Sequence, residues 1–349
     1  MKISIGSKIK TGPWGGGNLF VINLKEYLES QNHEVIFDLL DDDIDIILLT
    51  DPRPISESSS FDYKDVSMYK KLVNSNPIVF HRINECDERK NTKNLNKFML
   101  KANTVADYTI FVSSWIEKLY KQQGHNKLSS VIMSGSNNKI FNSNNFENWD
   151  KTKKLKIVTH HWGANWNKGF DVYRKIDELL NIKEWNQKIE FTYIGNLPKN
   201  FEFKNSKYIE PLSGTELSNK LKENNLYITG SLNEPSGNHH IEASQCGLPV
   251  MYINSGGVTE YCKNFGVEFT IENLEKKLIY IFENYNHYFQ KMKSYPQNHI
   301  KMSKEYLELF SEEKKDKQIK IKNKIYRLSF YSIYKFKRLI KALILNENK

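Results

Sequence analysis

The chain has 349 residues, of which 39% are hydrophobic and 26% charged, so it can bury more than one core and is not a disordered protein. Its three cysteines, at positions 86, 246 and 262, show no CxxC spacing, so neither a disulfide framework nor a zinc site is indicated. No apolar run approaches the roughly 20 residues that span a bilayer. Because residues 1–5 lead directly into a predicted strand, we expect no signal peptide and a cytoplasmic protein.

The net charge of +10 is concentrated near the C-terminus. Residues 311–349 contain twelve Lys/Arg and four Asp/Glu, which accounts for +8 of the total. The basic character therefore belongs to a tail, and the remaining 310 residues are close to neutral.

The first predicted unit is a strand, a glycine loop and a helix. Residues 2–5 predict the strand, residues 12–17 hold four glycines, and the apolar residues from Leu19 to Leu28 recur at helical spacing. Glycines at the start of a helix allow backbone amides to approach a phosphate or another polar group. The loop lacks the GxGxxG pattern, so a dinucleotide site is weakly indicated, and a simple tight turn is the alternative.

More strands are predicted in the first half, at residues 34–37, 45–49, 77–80, 106–112 and 130–133. The strand at 77–80 is followed by a polar run from His81 to Asp87. Polar side chains at the carboxyl end of such a strand are well placed to contact a ligand. His81 is therefore a candidate for substrate contact, with a purely structural role as the alternative.

The segment from 142 to 154 is rich in Asn, Lys and Asp and predicts a linker. Beyond it, strand patterns resume at residues 155–159, 189–194, 226–229 and 248–253. We therefore predict two α/β domains, at 1–145 and 155–310, followed by the tail at 311–349. Two such domains that face each other leave a cleft between their loop edges.

Two carboxylates stand eight positions apart in the second half, at Glu234 and Glu242. A predicted strand precedes them, a Pro-Ser-Gly turn separates them, and a short helix that ends near Gly247 is predicted to carry Glu242. Ser236 or Asn238 is expected to cap this helix. In a strand–loop–helix unit the loop lies at the carboxyl edge of the sheet, where doubly wound proteins bind ligands.

These residues resemble the GT-B glycosyltransferases, specifically the retaining family 4 type. That family has two facing Rossmann-like domains and a Glu-x7-Glu motif in the second, which Glu234 and Glu242 match in spacing. Residues 243–250 and 255–260 look like the family's continuation of the motif. The resemblance spans about residues 1–310, and in the first half it rests on residues 15–17, 32–35, 112–116, 131–135 and Phe141. It implies an α/β GT-B fold with a cleft between the two domains, to which the sequence adds a basic helical tail.

The resemblance implies a nucleotide-diphosphate sugar as donor substrate. Glu242 would hold the ribose hydroxyls, because a carboxylate can accept two adjacent O–H bonds. Glu234 would bind hydroxyls of the transferred sugar and act with the catalytic groups. Lys168 would clamp the diphosphate and stabilise the charge of the leaving group. The same sugar or phosphate would be approached by the backbone amides of three residues at the helix start, Ser236, Gly237 and Asn238.

The first domain would contribute its glycine loop and a histidine. Gly16 and Gly17 would approach the diphosphate from across the cleft. His81 matches the position of a histidine that family members carry near the reacting sugar, and we therefore expect it to be catalytic.

One departure from the family concerns the phosphate site. Family members often place an arginine five or six residues before the lysine, and this chain has Gly163 and Trp162 there. Three side chains are candidates to replace the arginine: His160, His161 and Asn165. The alternative is that Lys168 and backbone amides hold the phosphate alone. Packing beneath the loop is the alternative for the two histidines.

No metal and no cofactor are expected. An Asp-x-Asp pattern occurs only around Asp43, at the entry of a strand, where it does not indicate a catalytic metal site. The adjacent His239 and His240 would point roughly 100° apart on a helix and would not share one metal ion.

The tail contains apolar residues at near-helical spacing from Ile321 to Leu343, interleaved with Lys and Arg. A basic amphipathic helix suits an anionic membrane surface. The alternatives are a helix that packs on the first domain, a disordered end, or a nucleic-acid contact that no accompanying motif supports.

Together these features predict a cytoplasmic glycosyltransferase, peripheral on the inner face of the membrane. It would transfer a sugar with retention to a glycan or lipid-linked acceptor, in surface polysaccharide or lipopolysaccharide synthesis. The alternatives are a catalytically silent protein that binds glycans or nucleotides on the same fold, and a nucleic-acid binder that acts through its tail.

Overall fold

The computed structural model describes residues 1–10, 12, 15–314 and 321–347. Within these ranges the chain forms two α/β domains, each built on a parallel sheet of six strands. The predicted class of two Rossmann-like domains is confirmed.

The first sheet has the strand order β2-β1-β3-β4-β5-β6. Its strands are β1 Lys2–Ile5, β2 Glu34–Ile36, β3 Ile46–Leu49, β4 Ile78–Ile83, β5 Tyr108–Phe111 and β6 Leu128–Val131. The helices between them are α1 Gly16–Ser30, α2 Tyr63–Leu72, α3 Asp87–Lys90, α4 Leu95–Ala102 and α5 Ser114–Gln122. The strand order reverses between β1 and β3, so the carboxyl ends of these strands open a crevice at that point.

Local sequence explains these elements. All four residues of β3 are completely buried, as expected for a central strand that is covered by helices on both faces. Helix α2 begins with a capping box in which Asp62 accepts from the backbone of Lys64 and Asp65. Ser113 caps α5 through the backbone N–H of Ile116.

The second sheet has the order β12-β11-β10-β7-β8-β9. Its strands are β7 Leu155–His161, β8 Ile189–Gly195, β9 Lys207–Ile209, β10 Leu226–Thr229, β11 Val250–Ile253 and β12 Gly266–Phe269. Its helices are α6 Phe170–Leu179, α7 Lys183–Lys188, α8 Gly214–Lys222, α9 Asn238–Gln245, α10 Val258–Cys262 and α11 Leu274–Met292. The order reverses beside β7, so the loops after β7 and β10 lie next to each other.

The last two helices return to the first domain. They are α12 His299–Glu313 and α13 Lys324–Glu347. On α12, Phe310 packs 4.8 Å from Phe80, while on α13 Phe330 packs 5.6 Å from Tyr69, measured between ring centroids. The sequence predicts a second domain that ends at residue 310. In the structure, however, the apolar face of α12 packs against the first domain.

The two segments that connect the domains lie side by side. Asn298, before α12, forms a parallel bridge with Ser136, after β6, and the N–H of His299 donates to Ser136 O at 2.8 Å. A Cβ on Gly135 would lie 2.1 Å from Asn298 O, so only glycine permits this approach. Both crossings between the domains therefore pass through one narrow region.

The loop edges of the two sheets are held against each other by α10. Both oxygens of Glu260 accept from backbone N–H groups at the start of α5, those of Ser114 at 2.8 Å and Trp115 at 2.7 Å. The hydroxyl of Tyr261 donates to Val112 O at 2.6 Å and accepts from the N–H of Ser134 at 2.8 Å. The carboxyl edges of the two sheets therefore face each other across a cleft.

Candidate active site

The segment with the two carboxylates occupies the loop edge of the second sheet. Strand β10 ends at Thr229, and α9 begins after Gly237, whose φ of +81° is in the left-handed region. The predicted cap by Ser236 or Asn238 is wrong, because Gly237 is the N-cap and no side chain bonds to the first turn. Gly237 is needed for its conformation, and a Cβ there would lie 2.8 Å from the His239 ring. The predicted helix end is confirmed, since Gly247 has φ +94°.

Glu234 is buried and is paired with two cations. Lys168 Nζ lies 2.5 Å from Oε2, and Arg89 Nε lies 2.9 Å from Oε1. Burial alone would raise the pKa of Glu234, but Arg89 and Lys168 outweigh it and hold the pKa at about 2. Glu234 is therefore a carboxylate at every physiological pH and is poorly suited to accept a proton.

Lys168 reaches Glu234 because the loop after β7 lies directly against the loop after β10. The chain turns at Gly169 with φ +103°, and a Cβ there would lie 2.6 Å from the backbone of Gly230. This close approach brings the last residue of a 3-10 turn, Lys168, to the buried side of the loop. Burial lowers the pKa of Lys168, while the attraction of Glu234 opposes that change.

Arg89 belongs to the first domain and was not found by sequence reasoning. It lies on α3, and α3 contacts the second domain through its backbone: Asn167 Nδ2 donates to Arg89 O at 3.2 Å and Asn233 Nδ2 to Glu88 O at 3.3 Å. Its place in the run Asp87-Glu-Arg-Lys90 carries no recognisable pattern. The sequence contains only an indirect sign of this second cation: the second domain lacks the arginine that family members often have near the lysine.

Glu242 faces the same loop edge from the second turn of α9. His160 Nε2 donates to its Oε2 at 2.9 Å, and both side chains are buried. His161 is buried deeper, where its Nε2 lies 2.6 Å from the hydroxyl of Tyr173. Burial, followed by the nearby Lys168, places the pKa of His161 well below its ordinary value, so this ring is neutral. Of the candidates for the missing phosphate ligand, His160 is thus engaged with Glu242, and His161 packs beneath the loop.

His81 is not brought to this group. Its ring on β4 is completely buried, its Nδ1 donates to Asn103 Oδ1 at 2.9 Å, and its Nε2 has no hydrogen-bond partner. Burial lowers the pKa of His81 to about 4, so the ring is neutral near pH 7. A role beside the reacting sugar stays a prediction.

The glycine loop faces α9 across the cleft. A Cβ on Gly16 would lie 2.8 Å from the side chain of Asn238, so the starts of α1 and α9 are almost in contact. Neither helix has an acidic residue in its first turn. Two helix N-termini with free N–H groups therefore converge on the cleft beside Glu234, which favours an anionic ligand. Positions 13 and 14 of the predicted glycine loop lie outside the described residues.

Within the described ranges, no group of three His, Cys, Asp or Glu side chains is arranged to hold a metal ion. Metal independence stays a prediction. The same ranges contain no helix of the length and apolarity needed to cross a membrane.

Comparisons with known proteins agree with this architecture. Residues 164–302 match the family model described as "Glycosyl transferases group 1". A search among curated proteins gives no significant match. Many solved structures share the fold.

Three of these structures illustrate the similarity. A glycosyltransferase from Rickettsia africae is 14% identical at a TM-score of 0.63, with 90% of this chain and 99% of that chain covered. HepE from Anabaena, solved in complex with UDP-glucose, is 14% identical at a TM-score of 0.65, with coverage of 89% and 100%. Sucrose-phosphate synthase from Thermosynechococcus elongatus is 12% identical at a TM-score of 0.61, with coverage of 89% and 98%.

At these identities the structural similarity shows the fold. Together with the family model, it confirms the predicted resemblance to GT-B glycosyltransferases and the GT-B fold class. The model match begins just before Lys168 and includes both Glu234 and Glu242.

Proposed function

We propose that this protein is a retaining glycosyltransferase that moves a sugar from a nucleotide-diphosphate sugar to a glycan or lipid-linked acceptor. The observation that carries the proposal is the ion-paired group of Glu234, Lys168 and Arg89, which joins the two domains at the convergence of two helix N-termini. The family model over residues 164–302 and the UDP-glucose complex of a structural neighbour support the same donor class.

In this proposal Glu242 binds the ribose of the donor. Its carboxylate has acceptor capacity for two adjacent hydroxyls, and the bond from His160 fixes the orientation of one oxygen. The hydroxyls of the transferred sugar are bound by Glu234.

When the donor binds, Lys168 and Arg89 exchange their contacts with Glu234 for contacts with the diphosphate. Lys168 and Arg89 both lie within 3 Å of that carboxylate, and a diphosphate offers them a greater negative charge. Their transfer to phosphate oxygens releases Glu234 for hydrogen bonds to the sugar. Arg89 thereby supplies, from the first domain, the second cation that the residues before Lys168 do not provide. Because Arg89 reaches the site only when the domains are together, this contact couples donor binding to closure of the cleft.

The chemical step is a displacement at the anomeric carbon. The bond from that carbon to the β-phosphate oxygen breaks, and its electron pair goes to the leaving nucleoside diphosphate. The acceptor hydroxyl bonds to the same face, and its proton passes to the leaving phosphate oxygen. Lys168, Arg89 and the N-termini of α1 and α9 stabilise the charge that develops on that oxygen. Glu234, held charged between two cations, positions the sugar and does not act as a base.

Donor turnover tests the proposal directly. We would screen UDP-, GDP- and ADP-sugars by thermal shift and then measure nucleoside diphosphate release and transfer. Lys168→Ala is expected to reduce kcat/KM by about 100-fold or more, through the loss of a strong transition-state contact. Glu242→Gln is expected to reduce kcat/KM mainly through a higher KM, because the ribose is bound alike in the ground and transition states. The matched controls are Lys156→Ala and Glu190→Gln, which replace exposed residues on β7 and β8.

Full activity in a folded Lys168→Ala variant would refute the site. Saturable binding of a nucleotide sugar without any turnover across the panel would instead indicate a catalytically silent binding protein.

We propose further that α13 holds the enzyme on a membrane surface. Its inward face packs on the first domain with Phe330 and Tyr334, and Lys337 and Arg338 pair with Asp65 and Asp38 at 2.8 and 3.5 Å. The outward face is apolar, with side chains that are 54–71% exposed at Ile325, Leu328, Phe336, Leu339 and Leu343.

An apolar stripe of this length on a helix suits insertion at the level of lipid headgroups. The contact with the bilayer is thus expected to be mainly apolar, because much of the basic face is directed at acidic residues of the protein. This pairing also weighs against a nucleic-acid function of the tail. A lipid-linked precursor of a surface polysaccharide or lipopolysaccharide is the acceptor class that fits such a position.

Sedimentation with phospholipid vesicles tests this helix. Phe336→Ser combined with Leu339→Ser should abolish co-sedimentation and leave thermal stability unchanged, because both side chains are exposed. Ile279→Ser on α11, also exposed, is the control. Unchanged sedimentation of the double variant would contradict membrane insertion of α13.

A further inference from the structure

A cavity of about 120 Å³ opens in the first domain, at the crevice where the strand order reverses. It lies between the carboxyl ends of β1, β3 and β4 and the start of α1. Its lining includes Lys8, Gly17, Thr50, Arg82 and Asn84. None of these residues except Gly17 belongs to the donor site described above.

Arg82 is the unusual member of this lining. It lies on β4, is only 5% exposed, and stacks its guanidinium 4.0 Å from the ring centroid of Phe20. Its Nε has no hydrogen-bond partner, and within the described ranges no carboxylate lies within 4 Å of its charged group. A buried charge without a counter-ion is costly, and the stacking on Phe20 compensates only part of that cost.

The carboxylates of the cavity do not neutralise Arg82, because they are already engaged. Asp51 accepts from Arg53 at 2.7 Å and from the hydroxyl of Ser58 at 2.7 Å. Glu85 pairs with Lys90 at 2.8 Å. The acidic groups in the lining are therefore held by other partners, and the charge of Arg82 is left facing the cavity.

Further positive charge surrounds the cavity. Burial, followed by the proximity of Arg338 and Lys10, lowers the pKa of Lys8, which indicates that like charges are crowded here. Lys341 of α13 donates to the backbone oxygen of Ser59 at 2.9 Å, and its pKa is lowered by burial and by Lys8. The N-terminal amides of α1, with no acidic residue in the first turn, add their partial positive charge.

We propose that this cavity binds an anionic group, best a phosphate, that the acceptor carries close to the hydroxyl being glycosylated. Arg82 would contact it through a planar guanidinium, whose fork of donors matches phosphate oxygens, and Lys8 would add a second charge. That the anion belongs to the acceptor rests on the proposed function, whereas the binding of an anion in this cavity does not. The inference narrows the acceptor to phosphorylated compounds, whether a soluble sugar phosphate or the headgroup of a lipid-linked precursor.

Binding without donor is the first test, with glucose 6-phosphate, glucose and inorganic phosphate as probes in titration calorimetry. Glucose 6-phosphate should bind more tightly than the other two, and Arg82→Gln should weaken it by about 10- to 100-fold, the value of one or two lost charged hydrogen bonds. Lys8→Gln, at a half-buried position, should weaken it less and covers the case in which Arg82→Gln does not fold. Arg174→Gln is the matched control, because it removes a guanidinium that stacks 4.8 Å from Trp166 in the second domain.

Three results would overturn the proposal. The first is equal affinity for glucose and glucose 6-phosphate. The second is displacement of glucose 6-phosphate by UDP, because this would locate the sugar phosphate in the donor site. The third is unchanged affinity for glucose 6-phosphate in both the Arg82 and Lys8 variants. Anionic vesicles that carry the phosphate on a lipid headgroup form a separate arm. Binding to them that Arg82→Gln weakens, while glucose 6-phosphate does not bind, would identify the lipid as the source of the phosphate. If sugar phosphate binds as expected and no donor turns over, the proposed function fails and the anion site stands.

Discussion

Lys168 and Arg82 are both buried cations at the loop edge of a parallel sheet, but among the described residues Lys168 has a carboxylate partner and Arg82 has none. Lys168 lies 2.5 Å from Glu234, whereas Arg82 rests on the ring of Phe20 and faces a cavity. The paired cation must exchange one anion for another when a ligand arrives, so its site is stable while empty. The unpaired cation offers its charge directly, at a cost to the stability of the empty protein. The two domains thus illustrate two ways of keeping a buried positive charge available for a ligand.

The largest expected effect is the loss of stability on substitution of Lys168. Lys168→Met should destabilise the protein by about 4 kcal/mol, because removal of one partner from a buried pair leaves a charge that the rest of the site compensates only in part. Arg89 still contacts Glu234 and limits the loss. Scanning calorimetry with Lys156→Met as the exposed control measures the difference. The triple variant Lys168→Met, Arg89→Met, Glu234→Leu removes all three charges and should recover most of the stability, and a failure to do so would contradict the charge argument.

Acid should weaken both domains through their buried histidines. His81 in the first and His240 in the second have pKa values lowered to about 4, mainly by burial. Each is neutral when folded, so its contribution is complete above the unfolded pKa near 6.5 and is lost as the pH falls through 4. A shift of this size corresponds to about 3 kcal/mol for each ring.

Unfolding midpoints between pH 7 and pH 4 test this expectation. His81→Asn should make the decline shallower, while Glu234, with its pKa at about 2, should contribute only to losses below pH 4.5. An equal slope in the wild-type and His81→Asn proteins would show that His81 does not drive the acid response.

Closure of the cleft should depend on Gly16. Gly16→Ala would place a Cβ 2.8 Å from the end of the Asn238 side chain, which must turn aside, with a cost of about 1 kcal/mol and about a 5-fold loss of kcat/KM. Asn238→Ala shortens the opposing side chain and should restore much of the loss in the double variant. For the stability readout alone, Gly17→Ala is the neighbouring control, because a Cβ there would meet nothing within 4 Å.

The smallest expected effect on stability is for Arg82, which has no carboxylate partner among the described residues. Arg82→Met removes a charge without leaving a carboxylate behind, so the free energy of unfolding should change by less than about 1 kcal/mol. A loss comparable to that of Lys168→Met would show that Arg82 is a structural residue with partners inside the protein. That outcome would remove the contrast between the two sites.

Local patterns in the sequence were sufficient to predict the alternation of strands and helices, the two domains and the loop that carries Glu234 and Glu242. Lys168 was predicted from the resemblance to the glycosyltransferase family, and the structure brings it to Glu234. Local patterns could not identify Arg89 or Arg82, whose surroundings are set by contacts between distant segments. Arg89 meets Glu234, nearly 150 positions away. Arg82 is distinguished by the lack of a carboxylate partner among the described residues.

The N-cap of α9 at Gly237 also could not be predicted from residue types alone. Ser236 and Asn238 are good capping residues by type, but here the backbone turns at Gly237, and the Asn238 side chain is directed at Gly16 of the other domain. For the tail, periodicity predicted a helix, while only the contacts of α13 show that its aromatic face is inward and an apolar stripe outward.

The adjacent crossings at Ser136 and Asn298 make the second domain an insertion within the first. A fragment of residues 1–145 would lack α12 and α13 and would expose Phe80 and Tyr69, which those helices cover. The second domain, in contrast, is one continuous stretch and is the half that can be produced alone. Because both connections lie in one region, we expect the two domains to rotate about a single hinge when the cleft opens.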